Sequence, residues 1–166
     1  MHVLVTGGAG FIGSNYAARC LSRGDEVVIF DNLSRRGAAL NIEWLSDRFD
    51  RKSFTLIKED IRDAEAIKSA AKGADRIVHL AAQVAVTTSV TDPATDFDIN
   101  AGGTFNALEA ARASGRKPAF LYASTNKVYG GMEDVEVAEL EDRFDYKNLP
   151  DGASETQPLD FHSPYG

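Results

Sequence analysis

Cysteine is almost missing from this chain: Cys20 is the only one in 166 residues, so neither an intrachain disulfide nor a cysteine-rich zinc site can form, and no metal centre is expected. Its neighbours Ala17, Ala18 and Leu21 make Cys20 a packed helix residue. No apolar run approaches the roughly 20 residues a membrane helix needs. No leader precedes the first strand-like run, so a cytoplasmic protein without membrane contact is expected. A basic stripe is lacking as well. Met1 to Gly130 holds 16 basic and 15 acidic residues, whereas Gly131 to Gly166 holds 2 and 10. That acidic stretch would repel a polyanion, which argues against nucleic acid as a partner, and it reads as a solvated loop. Repeats and low-complexity segments are absent. What remains has the 43% hydrophobic and 26% charged content of a globular protein, and its length suits one core-bearing domain.

The informative stretch is Val3 to Gly13, VLVTGGAGFIG, where an apolar β-branched run meets three glycines spaced three apart and then a helical pattern. A strand ending at Thr6 would turn tightly at Gly7, Gly10 would let a diphosphate approach the backbone, and Gly13 would let the following helix pack close to the sheet. The first N–H groups of that helix, at Phe11 and Ile12, have no intrahelical partners and favour a phosphate. Glu26 to Phe30 reads as a second strand, and Asp31 follows it 18 residues past Gly13. A carboxylate in that place accepts both ribose hydroxyls of an adenosine. Asn32, Ser34, Arg35 and Arg36 lie within reach of the same nucleoside. The two arginines hint at a 2′-phosphate, but Asp31 would repel that dianion at close range, so the cofactor read is NAD.

Further along, Ala38 to Phe49 has helical spacing and Phe54 to Ile57 reads as a third strand. Asp60 could take the adenine amino group with Ile61 over the ring, or Asp60 could cap the next helix. Arg76 to Leu80 is a fourth strand, in which His79 reads as a packed residue. It opens into Ala81-Ala82-Gln83, small residues at the carboxyl end of the sheet, where ligands bind in open α/β sheets. Pro93 opens a long helix running to Gly115, and its polar Asn100 calls for a specific partner, backbone or cofactor. Ala119 to Ala123 is a fifth strand, with Ser124 and Thr125 at its end. Strands alternating with helices give an α/β, doubly wound parallel sheet of the Rossmann type with right-handed crossovers. The chain then divides into a dinucleotide-binding domain, 1–130, and an acidic loop, 131–166. Within the latter, Gly131 to Ser163 reads as a functional loop or lid, or as disordered chain.

Ser124 to Gly130 and Ser163-Pro164-Tyr165-Gly166, with the glycine turn, Asp31-Asn32-Leu33-Ser34, Asp60-Ile61-Arg62, His79-Leu80-Ala81-Ala82, Asn100 and Gly103-Thr104, resemble the extended short-chain dehydrogenase/reductase family. The nucleotide-sugar epimerases and dehydratases are its nearest members. The resemblance implies that Gly7, Gly10, Phe11, Ile12, Gly13, Asp31, Asn32, Ser34, Arg35, Asp60, Ile61, Leu80, Ala81, Ala82, Asn100, Ser124 and Tyr165 hold NAD. It places Gln83, Thr88, Thr125 and Asn126 on a nucleotide-sugar substrate. Thr125 would bond the reacting sugar hydroxyl, and Tyr165 falls on the acid/base tyrosine that a lysine follows four residues later. The family's dehydratases carry an Asp-Glu pair directly after the catalytic threonine. Here Asn126 and Lys127 stand there, and neither replaces a carboxylate acid/base at neutral pH. Arg35 to Ala38 with Asn41 and Trp44-Leu45, Gln83 to Ala85 with Thr87 to Ser89, and Leu159 to Gly166 are similar to the CDP-tyvelose (CDP-paratose) 2-epimerases. A UDP-hexose 4-epimerase and a non-catalytic NAD-binding module are the alternatives. The resemblance further implies an intact homo-oligomer. It leaves the chain as a sheet truncated after about five strands, without the lysine and without the C-terminal substrate domain, and therefore inactive by itself.

Overall fold

The computed structural model describes residues 1–50 and 52–166. The strands β1 (His2–Thr6), β2 (Glu26–Phe30), β3 (Phe54–Ile57), β4 (Arg76–His79) and β5 (Ala119–Tyr122) form one sheet. Its order is β3-β2-β1-β4-β5, and every pairing is parallel. β1 is central, and Val3, Leu4 and Val5 are fully buried, as an unbroken apolar run requires of a strand covered on both faces. Side chains alternate across the sheet. Val3, Val5, Val27 and Ile29 pack on Ala17 and Leu45, whereas Leu4, Val28, Phe30 and Ile77 pack on Ile67 and Ala107. These two cores place α1 (Phe11–Leu21) and α2 (Ala38–Arg48) on one face, and α3 (Ala64–Ala70) and α6 (Gly103–Ala113) on the other. The doubly wound α/β sheet expected from the sequence is the observed one.

Between β4 and α6 lie α4 (Val86–Thr91) and α5 (Pro93–Phe97). The short helix α4 was not foreseen. Asp92 caps α5 by accepting the Thr95 N–H at 3.1 Å, and Pro93 occupies the first helical position. The expected long helix does run from Pro93, but it ends at Ala113 and loosens into a π turn at Asp98–Gly102, around Asn100. Such turns recur at functional sites.

Beyond Thr125 a 3-10 turn (Asn126–Tyr129) leads into the acidic stretch, which is an ordered excursion rather than featureless loop. It carries an antiparallel pair, β6 (Val137–Glu139) and β7 (Phe144–Tyr146). The excursion closes where the Asp160 N–H donates to the Val128 carbonyl at 2.8 Å. No helix among the described residues is long and apolar enough to cross a membrane.

Candidate functional site

The strand order reverses direction at β1 and β4, whose neighbouring ends, Thr6 and His79, stand opposite each other. The chain leaving β1 turns one way and the chain leaving β4 the other, which opens a crevice at the carboxyl end of the sheet. A cavity of about 860 Å³ occupies it, within the range of small-molecule sites.

The glycine turn forms its floor. Gly7 adopts φ +66°, and a Cβ there would lie 2.7 Å from the Ala81 nitrogen. A Cβ on Gly13 would lie 2.3 Å from the Gly7 carbonyl oxygen and 2.7 Å from Gly8 Cα. Gly13 thus lets α1 start hard against the backbone of the turn, from where the helix packs on the sheet through Ala17, as expected. No side chain caps α1 and no acid sits in its first turn. Phe11, Ile12 and Gly13, whose N–H groups have no partner inside the helix, line the cavity with Gly7 and Gly10. An uncapped helix start with room before it fits a phosphate group.

Asp31 stands at the end of β2 and also lines the cavity. Its Oδ2 accepts the Ala9 N–H at 3.0 Å and its Oδ1 the Leu33 N–H at 2.8 Å. One carboxylate therefore holds the glycine turn and the following loop together, with further acceptor capacity left on each oxygen. Asn41 reaches back from α2 to the Ala9 carbonyl at 2.7 Å and holds the same turn from the other side. Asn32, Ser34, Arg35, Asp60 and Ile61 line the adjoining wall. The capping role open to Asp60 falls instead to Asp63, which accepts the Glu65 and Ala66 N–H groups at the start of α3. Asp60 is gripped by the Arg62 guanidinium through two 2.9 Å bonds and receives Asn32 Nδ2 at 2.9 Å. The guanidinium holds its carboxyl well below the usual carboxylate range. Ile61 is 5% exposed and packs in the core.

The opposite wall is Leu80, Ala81 and Ala82 after β4. His79 is packed, as expected: it is 2% exposed, between the hydroxyls of Thr6 (2.7 Å) and Thr104 (3.1 Å). Burial pushes its pKa down to about 4 from the ordinary 6.5. The unfolded chain then takes up this proton first, so the stabilisation is complete above pH 6.5 and is lost as pH falls from 6.5 towards 4. Urea denaturation should show about 2 kcal/mol less stability at pH 5 than at pH 7, and a His79→Phe chain should not show that loss.

Asn100 has backbone partners. Its Oδ1 accepts the Gln83 N–H at 2.9 Å and its Nδ2 donates to the Gln83 carbonyl at 3.0 Å, while the residue lines the cavity. Gln83, expected at the substrate, is turned away: its side-chain amide binds Asp96 Oδ1 at 2.7 Å and the Ala85 backbone. Thr88 is exposed on α4 and Asn126 is exposed on the 3-10 turn, and neither lines the cavity. Ser124, Thr125 and Tyr165 do line it. Thr125 caps the 3-10 turn by accepting the Lys127 N–H at 3.2 Å. Tyr165 is held through its backbone N–H, which donates to Ser89 Oγ at 3.2 Å, and Ser89 is fully buried. No individual role was read for Thr6, Ser89, Asp96 or Thr104, although Ser89 and Thr104 stand in segments that carry the resemblance. Asp96 and Asn100, four apart on one helix face, were the available signal.

The fold and this crevice define a doubly wound α/β protein of the dinucleotide-binding type. The chain belongs to the GDP-mannose 4,6 dehydratase family, whose sequence profile matches residues 4–166. It is 45% identical over 168 residues to the CDP-paratose 2-epimerase of Salmonella typhi, covering 100% of this chain and 49% of that one. It therefore spans about half the length of that relative. Among solved structures, the Thermus thermophilus UDP-glucose 4-epimerase, in complex with NAD, has TM-score 0.74 and 37% identity over 99% of this chain and 46% of its own. The dTDP-glucose 4,6-dehydratase DesIV of Streptomyces venezuelae, with NAD and TYD bound, has TM-score 0.78 and 31% identity over 99% and 47%.

Proposed function

We propose that this chain is the NAD-binding part of a nucleotide-sugar epimerase that inverts C2 of a CDP-dideoxyhexose through a transient 2-keto sugar. The observation that carries the reading is that Thr125 and Tyr165 line the same cavity as the glycine turn and Asp31. The uncapped start of α1 would take the diphosphate, and Asp31 the ribose of the adenosine. NAD, when bound there, would supply a reversible hydride acceptor for the sugar carbon. Tyr165 takes the proton of the C2 hydroxyl as the bond to hydrogen breaks, and returns it when the carbonyl is reduced. The Thr125 oxygen already accepts the Lys127 N–H, which leaves its O–H free to bond that same sugar oxygen.

A UDP-hexose 4-epimerase is the second reading, favoured by the likeness to the Thermus enzyme. Dehydration is disfavoured because Asn126 and Lys127 follow Thr125 and offer no carboxylate to move the protons of water loss. Assaying the intact protein with CDP-paratose or CDP-tyvelose, and with UDP-glucose or UDP-galactose, separates the two epimerases. Interconversion of the CDP sugars is expected, without 4-keto-6-deoxy product. Mass-spectrometric detection of the deoxy sugar would overturn the reading.

The two bonds already made by Asp31 bear on cofactor choice. NAD should bind at least about tenfold more tightly than NADP, roughly 1.4 kcal/mol. Asp31→Ala should weaken NAD without creating a good NADP site, because it also releases the glycine turn from Leu33. Calorimetry with both cofactors checks this, and an NADP affinity in the variant matching that of the native chain for NAD would contradict it.

A further inference from the structure

The polar contacts around His79 form a closed set whose directions can be worked out atom by atom. Thr104 Oγ1 lies 2.5 Å from the Asn100 carbonyl oxygen, and a carbonyl only accepts, so the Thr104 hydroxyl donates its one proton there. Its oxygen can then only accept from the other neighbour, His79 Nε2, at 3.1 Å. Nε2 must carry a hydrogen. On the far side, Thr6 Oγ1 accepts the Ala81 N–H at 3.2 Å and shares the Leu80 N–H, 3.2 Å away, with the Thr6 carbonyl oxygen at 3.1 Å. With its lone pairs so used, Thr6 donates its own proton to His79 Nδ1, 2.7 Å away, and Nδ1 must be bare. A protonated ring would leave the Thr6 hydroxyl hydrogen without an acceptor in a site that is 0% exposed at Thr6.

Three elements meet in this set. Thr6 is the last residue of β1, directly before Gly7. Leu80 and Ala81 are the cavity wall after β4. Asn100 sits in the π turn, and its side chain pins Gln83 by both main-chain groups. We propose that His79, in its neutral Nε2–H form, is a positioning residue that locks the strand end bearing the glycine turn to the π turn bearing Asn100, and so sets the spacing of the cavity walls. The consequence for cofactor binding rests on the reading that this cavity holds NAD, whereas the lock itself does not.

Two measurements on the 166-residue chain test the lock without cofactor. Nitrogen-15 spectra of the imidazole should show hydrogen on Nε2 and none on Nδ1 from pH 7 down to pH 5. A ring protonated on Nδ1, or one titrating near the ordinary histidine value, overturns the inference. Amide hydrogen exchange at Ala81, whose N–H rests on Thr6 Oγ1, should be at least about tenfold faster in His79→Phe and close to native in His79→Gln, which can still donate to Thr104. Unchanged exchange in His79→Phe also overturns it.

Calorimetry then reads the consequence. NAD affinity should fall about tenfold in His79→Phe and in Thr104→Val, and no further in the double variant, since both cut one link. Ile77→Val, which loosens the same strand from the core, should leave the affinity unchanged. An equal loss in Ile77→Val would show that general destabilisation is at work and not position. If the native chain fails to bind NAD while the spectra and exchange behave as stated, the functional reading falls and the lock stands.

Discussion

A polypeptide of these 166 residues, incubated with NAD and CDP-paratose, is expected to give no detectable CDP-tyvelose, at a rate about a hundredfold or more below a full-length relative. The resemblance to the short-chain dehydrogenases implies a lysine four residues after Tyr165 as its partner in acid/base work, at a position beyond Gly166. Among the described residues Tyr165 is held by its backbone N–H donating to Ser89 Oγ, which fixes its main chain but not its phenol. Without the lysine partner near-attack geometry is not held, and such geometry accounts for several kcal/mol of a barrier. Such a polypeptide spans about half the length of the Salmonella typhi relative, and any remote binding energy that the other half contributes to orienting a substrate is absent from it. The assay should be repeated with the remaining part of the protein co-expressed. Recovery of turnover would trace the inactivity to the missing groups, whereas turnover by the 166-residue polypeptide alone would refute the expectation.

Gly13→Ala is expected to abolish NAD binding, lowering affinity by more than about a hundredfold, and to destabilise the fold by about 1–3 kcal/mol or more. The added methyl carbon would stand 2.3 Å from the Gly7 carbonyl oxygen and 2.7 Å from Gly8 Cα. Both are backbone atoms, so relief requires moving the turn that presents the N–H groups. Gly102→Ala is the matched control. Its helical φ suits alanine, and its nearest obstacle is the Phe97 carbonyl oxygen at 3.9 Å. It should keep NAD affinity and gain up to about 1 kcal/mol from helix propensity. Thermal melts with and without NAD separate the two, and a Gly13→Ala chain with native affinity would disprove the steric account.

What the sequence disclosed and what it hid divide along a physical line. The glycine turn, the acid after the second strand and the five strands were legible because each is set by local chemistry: backbone freedom, strand-end position, or apolar period. Asp60 and Asp63 illustrate the limit, since both are acids just ahead of a helix and only the three-dimensional path decides which one caps it. Gln83 and Asp96 show another. A buried carboxylate meeting a glutamine from across a loop leaves no periodic mark, so the contact of Gln83 with Asp96 could not be read, and only the family resemblance spoke for Gln83. Thr6 and Thr104 were hidden because a threonine among apolar neighbours looks like any strand or helix residue until its partner, His79, is placed between them.

The 2.8 Å bond from the Asp160 N–H to the Val128 carbonyl has a consequence for how this segment tolerates change in length. It brings the two ends of the acidic excursion together, so the chain between them is a closed loop whose tip lies beyond β6 and β7. Closing such a loop costs entropy that grows only with the logarithm of its length, about 0.6 kcal/mol for each doubling. Residues inserted between Leu140 and Arg143, in the exposed connection of the strand pair, would thus be nearly free of thermodynamic penalty and would leave Thr125 and Tyr165 where they are. Loosening the clasp at Asp160 would instead release the segment that carries Tyr165 back to the cavity.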